Sequence, residues 1–274
     1  VELINKLSLC GFTSIETTSF VSPKWVPQMS DNSKVMERIQ RNKYVNYPVL
    51  VPNYRGLEKA IDSKIDTICV FTTSSETFSK KNTNNTILES LREIEKVSAK
   101  AIKLGMKVRG YLSCVLGCPY EGQILYKETS SIAKNLFDMG CYEISLGDTV
   151  GFGTPIEAKK MVHEVSKNIP IAKLAVHFHD TYGQALANIY SVIQSGITTI
   201  DSSVGGLGGC PYAKGAKGNV ATEDVLYMLS GMGIETGINI NKVIEATWYI
   251  FKKLGREPSS RLAFIKKNYI EDNK

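Results

Sequence analysis

The chain has 274 residues, 43% hydrophobic and 22% charged, a composition that excludes a disordered or fibrous protein and a length that can bury a large core. No run approaches ~20 apolar residues, which excludes a membrane-spanning helix. The net charge of +6 implies no nucleic-acid surface: seven Lys/Arg against three Asp/Glu from Lys252 to Lys274 supply four of the six charges, and the preceding residues are nearly balanced.

Read in chain order, the sequence opens at Val1 with a helix-like pattern, VELINKLSLCGF, and shows no signal or transit peptide; a processed or truncated N-terminus is expected. Strand candidates follow at SIETTSF (14 to 20), VNYPVLV (45 to 51), DTICVFT (66 to 72), KVRGYLSC (107 to 114), CYEISLGD (141 to 148), KLAVHFHD (173 to 180) and TTIDSSV (198 to 204). Between them, stretches such as ILESLREIEKVSAKAIKLG and KETSSIAKNLFDMG repeat apolar residues at three and four spacing and end in glycine, the pattern of amphipathic helices. Several strands are nearly continuous apolar runs, as parallel strands covered on both faces require. Strand and helix alternation therefore predicts a parallel α/β fold. A doubly wound sheet would carry a glycine-rich phosphate turn after its first strand, and none is present. An eight-stranded barrel takes about 250 residues. With seven strands visible and a helix first, the reading is a (β/α)8 TIM barrel whose first strand lies outside the sequence. Residues 1–235 are expected to form the barrel and 236–274 a C-terminal helical extension packed on it.

Six scattered cysteines without a CxxC pair fit a reducing compartment, and most of them read as small buried hydrophobes. His177 and His179, in AVHFHD, are spaced i and i+2 on a strand and so share a face. In a barrel that places two imidazoles inside, near the catalytic end, as ligands for a divalent metal or as a hydrogen-bonded structural pair. His163 lies on a helix-like stretch and reads as a surface residue. GGLGGCPYAKGAKGN (205 to 219) holds six glycines and Cys210. Following the last strand, it is either a flexible surface loop or a mobile cover that brings a cysteine to the site for proton transfer. Asn219 is either an N-cap region residue of the next helix or a neutral oxygen ligand for a hard cation. Glu16 is a carboxylate inside a strand, which favours an ion-paired or functional role. Asp148, ending another strand, either accepts a hydrogen bond from a ligating histidine or caps the following turn.

SFVSPKWVPQM, SLGDTVGFGTP, HFHDTYGQALAN and GGLGGCPYAKGAKGNVATED together resemble the 3-hydroxy-3-methylglutaryl-CoA lyases, members of a metal-dependent barrel superfamily that includes isopropylmalate and homocitrate synthases. The resemblance runs over essentially the whole chain. It implies cleavage of 3-hydroxy-3-methylglutaryl-CoA to acetyl-CoA and acetoacetate, a step of leucine breakdown and ketone-body formation. It further implies His177, His179 and Asn219 as ligands of Mg2+ or Mn2+, with Cys210, Glu16, His177, Glu223 and Asp148 in catalytic positions. Tyr111, Ser19, Lys24 and Asn82 are the implied substrate contacts, and Lys24 and the Lys80-Lys81 pair are candidates to meet CoA phosphates. The implied partners are an acyl-CoA substrate and a second copy in a homodimer, with neither nucleic acid nor membrane. The expected compartment is the mitochondrial matrix for a eukaryotic source, with the leader outside this sequence, and the cytoplasm otherwise. The departure is at the start: the family's first strand ends in an Arg-Asp pair, the aspartate being a fourth metal ligand, and this sequence does not contain that run. The alternatives are an acyl-CoA Claisen-condensing enzyme of the same superfamily, or a non-catalytic metal- or acyl-CoA-binding barrel.

Overall fold

Residues 86–103 show how the sequence builds its outer layer. Thr86 caps the helix by accepting from the Glu89 N–H while the Glu89 carboxylate accepts from the Thr86 N–H, a reciprocal capping box that fixes where the helix starts. The helix then buries Leu91, Ile94, Val97 and Ala101, one stripe at three and four spacing. Each large apolar side chain so buried contributes roughly 1.5–3 kcal/mol. The opposite face of Glu and Lys stays in water.

The computed structural model describes residues 1–209 and 218–267. Seven strands, β1 (Thr18–Ser19), β2 (Val49–Leu50), β3 (Thr67–Thr73), β4 (Lys107–Ser113), β5 (Ile144–Asp148), β6 (Leu174–Phe178) and β7 (Thr199–Asp201), form one parallel sheet in sequential order. The helices are α1 (Glu2–Leu7), α2 (Asn32–Arg38), α3 (Tyr54–Asp62), α4 (Glu76–Thr83), α5 (Ile87–Lys103), α6 (Tyr126–Asp138), α7 (Pro155–Ser166), α8 (Ala185–Ile193), α9 (Thr222–Gly231), α10 (Ile240–Leu254) and α11 (Arg261–Ile265). Each expected strand segment holds one of these strands, β3 running one residue past its segment to Thr73. The curled sequential sheet with helices outside is a barrel arrangement of seven strands, as the sequence reading expects. Among the described residues no helix is long and apolar enough to cross a membrane.

The alternation of side chains sorts the sheet into two chemical faces. Ile68, Val70, Val108, Leu112, Ile144, Leu146, Leu174 and Val176 point outward and join the main core against the helices. Their neighbours of the other parity, Cys69, Arg109, Tyr111, Ser145, His177 and Asp201, point inward. Barrel interiors are commonly filled by branched aliphatic residues; here the inward layer is polar, and the apolar core lies between sheet and helices. Register brings these residues level: Cys69 pairs with Arg109, Tyr111 with Ser145, and His177 with Asp201.

Helix α10 is tied at one end to the first residues and at the other to the exit of β7. Gly11, at φ +99°, comes so close to the Gly237 carbonyl that an added Cβ would sit 2.4 Å from it, and the Asn239 N–H donates to the Cys10 carbonyl at 2.7 Å. This fixes α1 against the start of α10. Near the other end of α10, Gly205 packs so tightly on Phe251 that a Cβ would meet its ring at 2.3 Å.

Candidate active site

The centre of the inward layer is an ion-paired arginine. Arg109 of β4 donates through Nη1 and Nη2 to the two oxygens of Asp201 at 2.9 and 3.0 Å, and through Nε to Glu143 at 2.6 Å. Its side chain is only 8% exposed, so the pairing satisfies charges held away from water. Ser145 adds a hydroxyl donor to Asp201 Oδ2 at 2.7 Å, and the Tyr111 ring covers the guanidinium with 5.1 Å between Cζ and the ring centroid. Burial works to raise the Asp201 pKa, but Arg109 and His177 outweigh it and hold that carboxyl well below the usual range.

Glu16 and His177 stand above this base. The Tyr111 hydroxyl donates to Glu16 Oε2. The walls around Glu16 desolvate it and push its pKa up, Tyr111 opposes, and Asp201 adds to the rise, although the side chain stays open to solvent. His177 Nδ1 lies 3.7 Å from Asp201 Oδ2. Burial alone lowers its pKa, but Asp201 and Glu16 more than offset that and raise it. His179 differs: burial and the neighbouring His177 depress it to about 4, and its Nδ1 is buried without a hydrogen-bond partner.

The two imidazoles lie with ring centroids 5.4 Å apart. An isolated bridge sets His179 opposite Asn219, whose amide nitrogen donates to the Leu207 carbonyl at 2.9 Å and leaves its amide oxygen as the acceptor. Asn219 therefore does not cap the next helix; α9 has Ala221 at its N-cap position, without a side-chain bond. Two imidazoles, one with a nitrogen orphaned in a buried position, and an amide oxygen are a donor set that fits a divalent cation. Among the described residues no group of three or more His, Cys, Asp and Glu side chains is placed to hold a metal, so the described donors are these three.

Two carboxylates with implied catalytic positions are occupied elsewhere. Asp148 has the outward parity of Ile144 and Leu146, is fully buried, and accepts from the Gly151, Phe152 and Gly153 N–H groups at 3.1, 3.1 and 2.9 Å. It holds the turn after β5 and has no bond to a histidine side chain. Burial raises its pKa to about 6 against those three bonds. Because the folded state binds this proton more tightly than the unfolded chain, whose reference value is 3.8, the Asp148 contribution to stability declines as pH rises from about 4 through about 6. Its carboxyl carbon should titrate by NMR near pH 6. Asp148→Asn should flatten the stability slope in that window and leave one N–H facing an amide donor, at a cost of about 1–3 kcal/mol. Glu223, also fully buried, takes the Gly205 N–H at 3.0 Å on both oxygens and the Thr247 hydroxyl from α10. It anchors the exit of β7 to the C-terminal helix and does not open to the barrel mouth.

Of the remaining candidates, Ser19 accepts the Val21 N–H at 3.2 Å and its carbonyl receives Asn32, which shapes the turn after β1. Lys24 and Asn82 are exposed, on the loop after β1 and on α4. His163 is exposed on α7, as expected. Cys210 lies outside the described residues. Arg109, Asp201, Glu143 and Ser145 are not identified by the sequence reading, although Asp201 is a single charge within its strand segment, the same signal that singles out Glu16, and Arg109 is a charge in the middle of KVRGYLSC.

The chain matches the family described as HMGL-like over residues 1–250. It is 54% identical over 263 residues to the cytoplasmic 3-hydroxy-3-methylglutaryl-CoA lyase of Rattus norvegicus, covering 96% of this chain and 77% of the relative. To the mitochondrial hydroxymethylglutaryl-CoA lyase of Bos taurus it is 51% identical, covering 96% and 81%. The crystal structure of hydroxymethylglutaryl-CoA lyase from Pseudomonas aeruginosa superposes with a TM-score of 0.95 at 47% identity, over 97% of this chain and 88% of that one. Identity near one half over nearly the whole chain, with the same barrel, leaves one assignment: the chain belongs to the HMGL-like family.

Proposed function

We propose that the protein cleaves 3-hydroxy-3-methylglutaryl-CoA into acetyl-CoA and acetoacetate, using Mg2+ or Mn2+ held by His177, His179 and Asn219. The observation that carries the activity is the half-identity to curated lyases across 96% of the chain. Geometry supports the residue assignments. A divalent cation held there would supply Lewis-acid chemistry that eases removal of the substrate's hydroxyl proton.

The remaining work belongs to side chains of this chain. The hydroxyl proton must leave as the carbon–carbon bond breaks, which gives acetoacetate and the enolate of acetyl-CoA; the enolate carbon then takes a proton. Of the three acidic candidates, Asp148 is buried under three backbone N–H groups and Glu223 under the Gly205 N–H and the Thr247 hydroxyl, whereas Glu16 is exposed and, among the described residues, accepts from Tyr111. Glu16 is therefore the acceptor we assign to the hydroxyl proton. Its raised pKa brings it closer to neutrality, where a general base is most effective. Tyr111 holds that carboxylate in place, and Arg109 beneath the Tyr111 ring keeps the floor of the site charged and rigid. Cys210 is assigned the return of the proton to the enolate carbon, an assignment that rests on the family resemblance. The mitochondrial matrix, for a eukaryotic source, or the cytoplasm is the proposed compartment, in keeping with relatives named for both.

The test is acetoacetate formation by the full-length protein with 3-hydroxy-3-methylglutaryl-CoA and Mg2+. Its absence overturns the lyase reading. Glu16→Gln, which keeps the shape and the Tyr111 contact, should lower kcat by about 10²–10⁴ with KM within a few-fold. A kcat within about three-fold of the parent, well short of what a general base contributes, removes Glu16 from the proton transfer.

A further inference from the structure

We propose that Asp201 is a positioning residue for His177: it fixes the imidazole with Nδ1–H toward its carboxylate and so presents Nε2 as the lone pair available to a cation. The inference rests on the reading of His177 as a cation ligand, and it concerns a residue that neither the sequence motifs nor the resemblance singles out.

Three features carry it. The carboxylate is itself immobile. Arg109 grips both oxygens from β4, and Ser145 from β5 adds a third bond to Oδ2, the oxygen nearest His177. An aspartate needed only to neutralise Arg109 has no use for that extra hydroxyl. The contact is also built into the backbone, since His177 and Asp201 are register partners on β6 and β7 and point inward together. Finally, the two imidazoles differ. His177 Nδ1 has Asp201 at 3.7 Å, while His179 Nδ1 has no hydrogen-bond partner among the described residues. At 3.7 Å the contact is longer than a hydrogen bond. It still favours the tautomer whose N–H dipole faces the fixed negative charge, and it fixes which ring edge points back to the wall. The other edge is left to the open side, consistent with a His177 side chain that is 40% exposed. Ligating histidines whose second nitrogen is held by a carboxylate lose about 10–100-fold in metal affinity when that partner is removed.

The experiment reads the tautomer and the affinity separately. In the metal-free protein at pH 9, two-dimensional imidazole 15N–1H spectra follow individual rings, with His177→Gln assigning the signal of His177. The parent should show His177 in the Nδ1–H form. Asp201→Asn should move it toward the Nε2–H form and weaken Mn2+ binding, followed by electron paramagnetic resonance, by about 10–100-fold. Ser145→Ala, which leaves the ion pair in place, should move both readouts in the same direction by a smaller factor. If Asp201→Asn fails to fold, Asp201→Glu, which keeps the charge for Arg109 but displaces the oxygens, is read in the same way. An unchanged His177 tautomer overturns the proposal, and so does a shifted tautomer with unchanged Mn2+ affinity. A parent protein that binds no Mn2+ removes the ligand reading instead, while the tautomer comparison still decides whether Asp201 orients the ring.

Discussion

Arg109→Met is expected to destabilise the protein by about 3–5 kcal/mol, a larger loss than Asp148→Asn should cause. The guanidinium is held in the barrel by three bonds to two carboxylates, and no described cation is placed to replace it. Methionine fills much of the space but leaves Asp201 and Glu143 facing each other inside the barrel, with Glu16 above. Removing one partner of a buried pair is costly because the other charge stays behind, not because the pair itself was worth that much. Against a total stability of roughly 5–15 kcal/mol the loss is large, and it corresponds to a fall in Tm of about 10 °C for a domain of this size.

The pH dependence separates this cause from simple cavity formation. In the parent, the Asp201 pKa lies below its unfolded value, so its contribution is present above the unfolded pKa and is lost as pH falls through the folded one. In the variant the abandoned carboxylates have raised pKa values, so the folded state gains protons and stability as pH falls. The deficit should therefore be widest near pH 7 and shrink toward pH 4–5, an order-of-magnitude window set by ordinary carboxylate values. Adding Asp201→Asn to Arg109→Met should recover part of the loss, since it removes one stranded charge. Urea unfolding at the two pH values decides the matter. A loss of less than about 1 kcal/mol at pH 7 refutes the view that this pair holds up the floor of the site.

How much of this was legible in the sequence follows from what a single strand displays. Most of the seven strands are readable as apolar runs closed by glycine or polar residues, the more hydroxylic SIETTSF and TTIDSSV by their place in the strand and helix alternation, from which the sequential parallel order also follows. Glu16, His177 and His179 stand out as polar groups within such runs. Arg109 in KVRGYLSC and Asp201 in TTIDSSV carry the same mark, but their meaning lies in a pairing across 92 residues, and that depends on the relative phase of β4 and β7. Phase between strands is a property of the barrel's stagger, which no single segment encodes. Asp148 shows the reverse case. It ends a strand of the right kind, yet its parity matches Ile144 and Leu146, so it faces the turn it caps and not the interior. Glu223 is hidden in a similar way, since its partner Thr247 comes from α10 and its two oxygens meet on Gly205.

His179→Gln should separate binding from stability more sharply than any other change. A catalytic or ligating group often carries a local cost that the rest of the fold absorbs, so its removal harms function and spares the fold. His179 has that profile: it is 9% exposed, its Nδ1 is without a hydrogen-bond partner, and burial with the neighbouring His177 depresses its pKa to about 4. Its imidazole is therefore neutral near pH 7, the form that donates a lone pair to a cation. A structural histidine at the same depth would be expected to use both nitrogens, because an unpaired buried polar atom costs about 1–3 kcal/mol. Glutamine keeps most of the volume while replacing the nitrogen ligand, so the variant should unfold within about 1 kcal/mol of the parent. Its Mn2+ affinity should fall by at least about 100-fold, since the loss of a mere outer partner costs 10–100-fold. Turnover of 3-hydroxy-3-methylglutaryl-CoA should fall by at least about 10³, the several kcal/mol of Lewis-acid stabilisation that leave with the cation. His163→Gln, on the exposed face of α7, is the control and should change none of the three. If His179→Gln instead lowers stability strongly while leaving Mn2+ affinity within about three-fold, less than even an outer partner is worth, the two strand histidines are a structural pair and the ligand set must be sought elsewhere in the barrel.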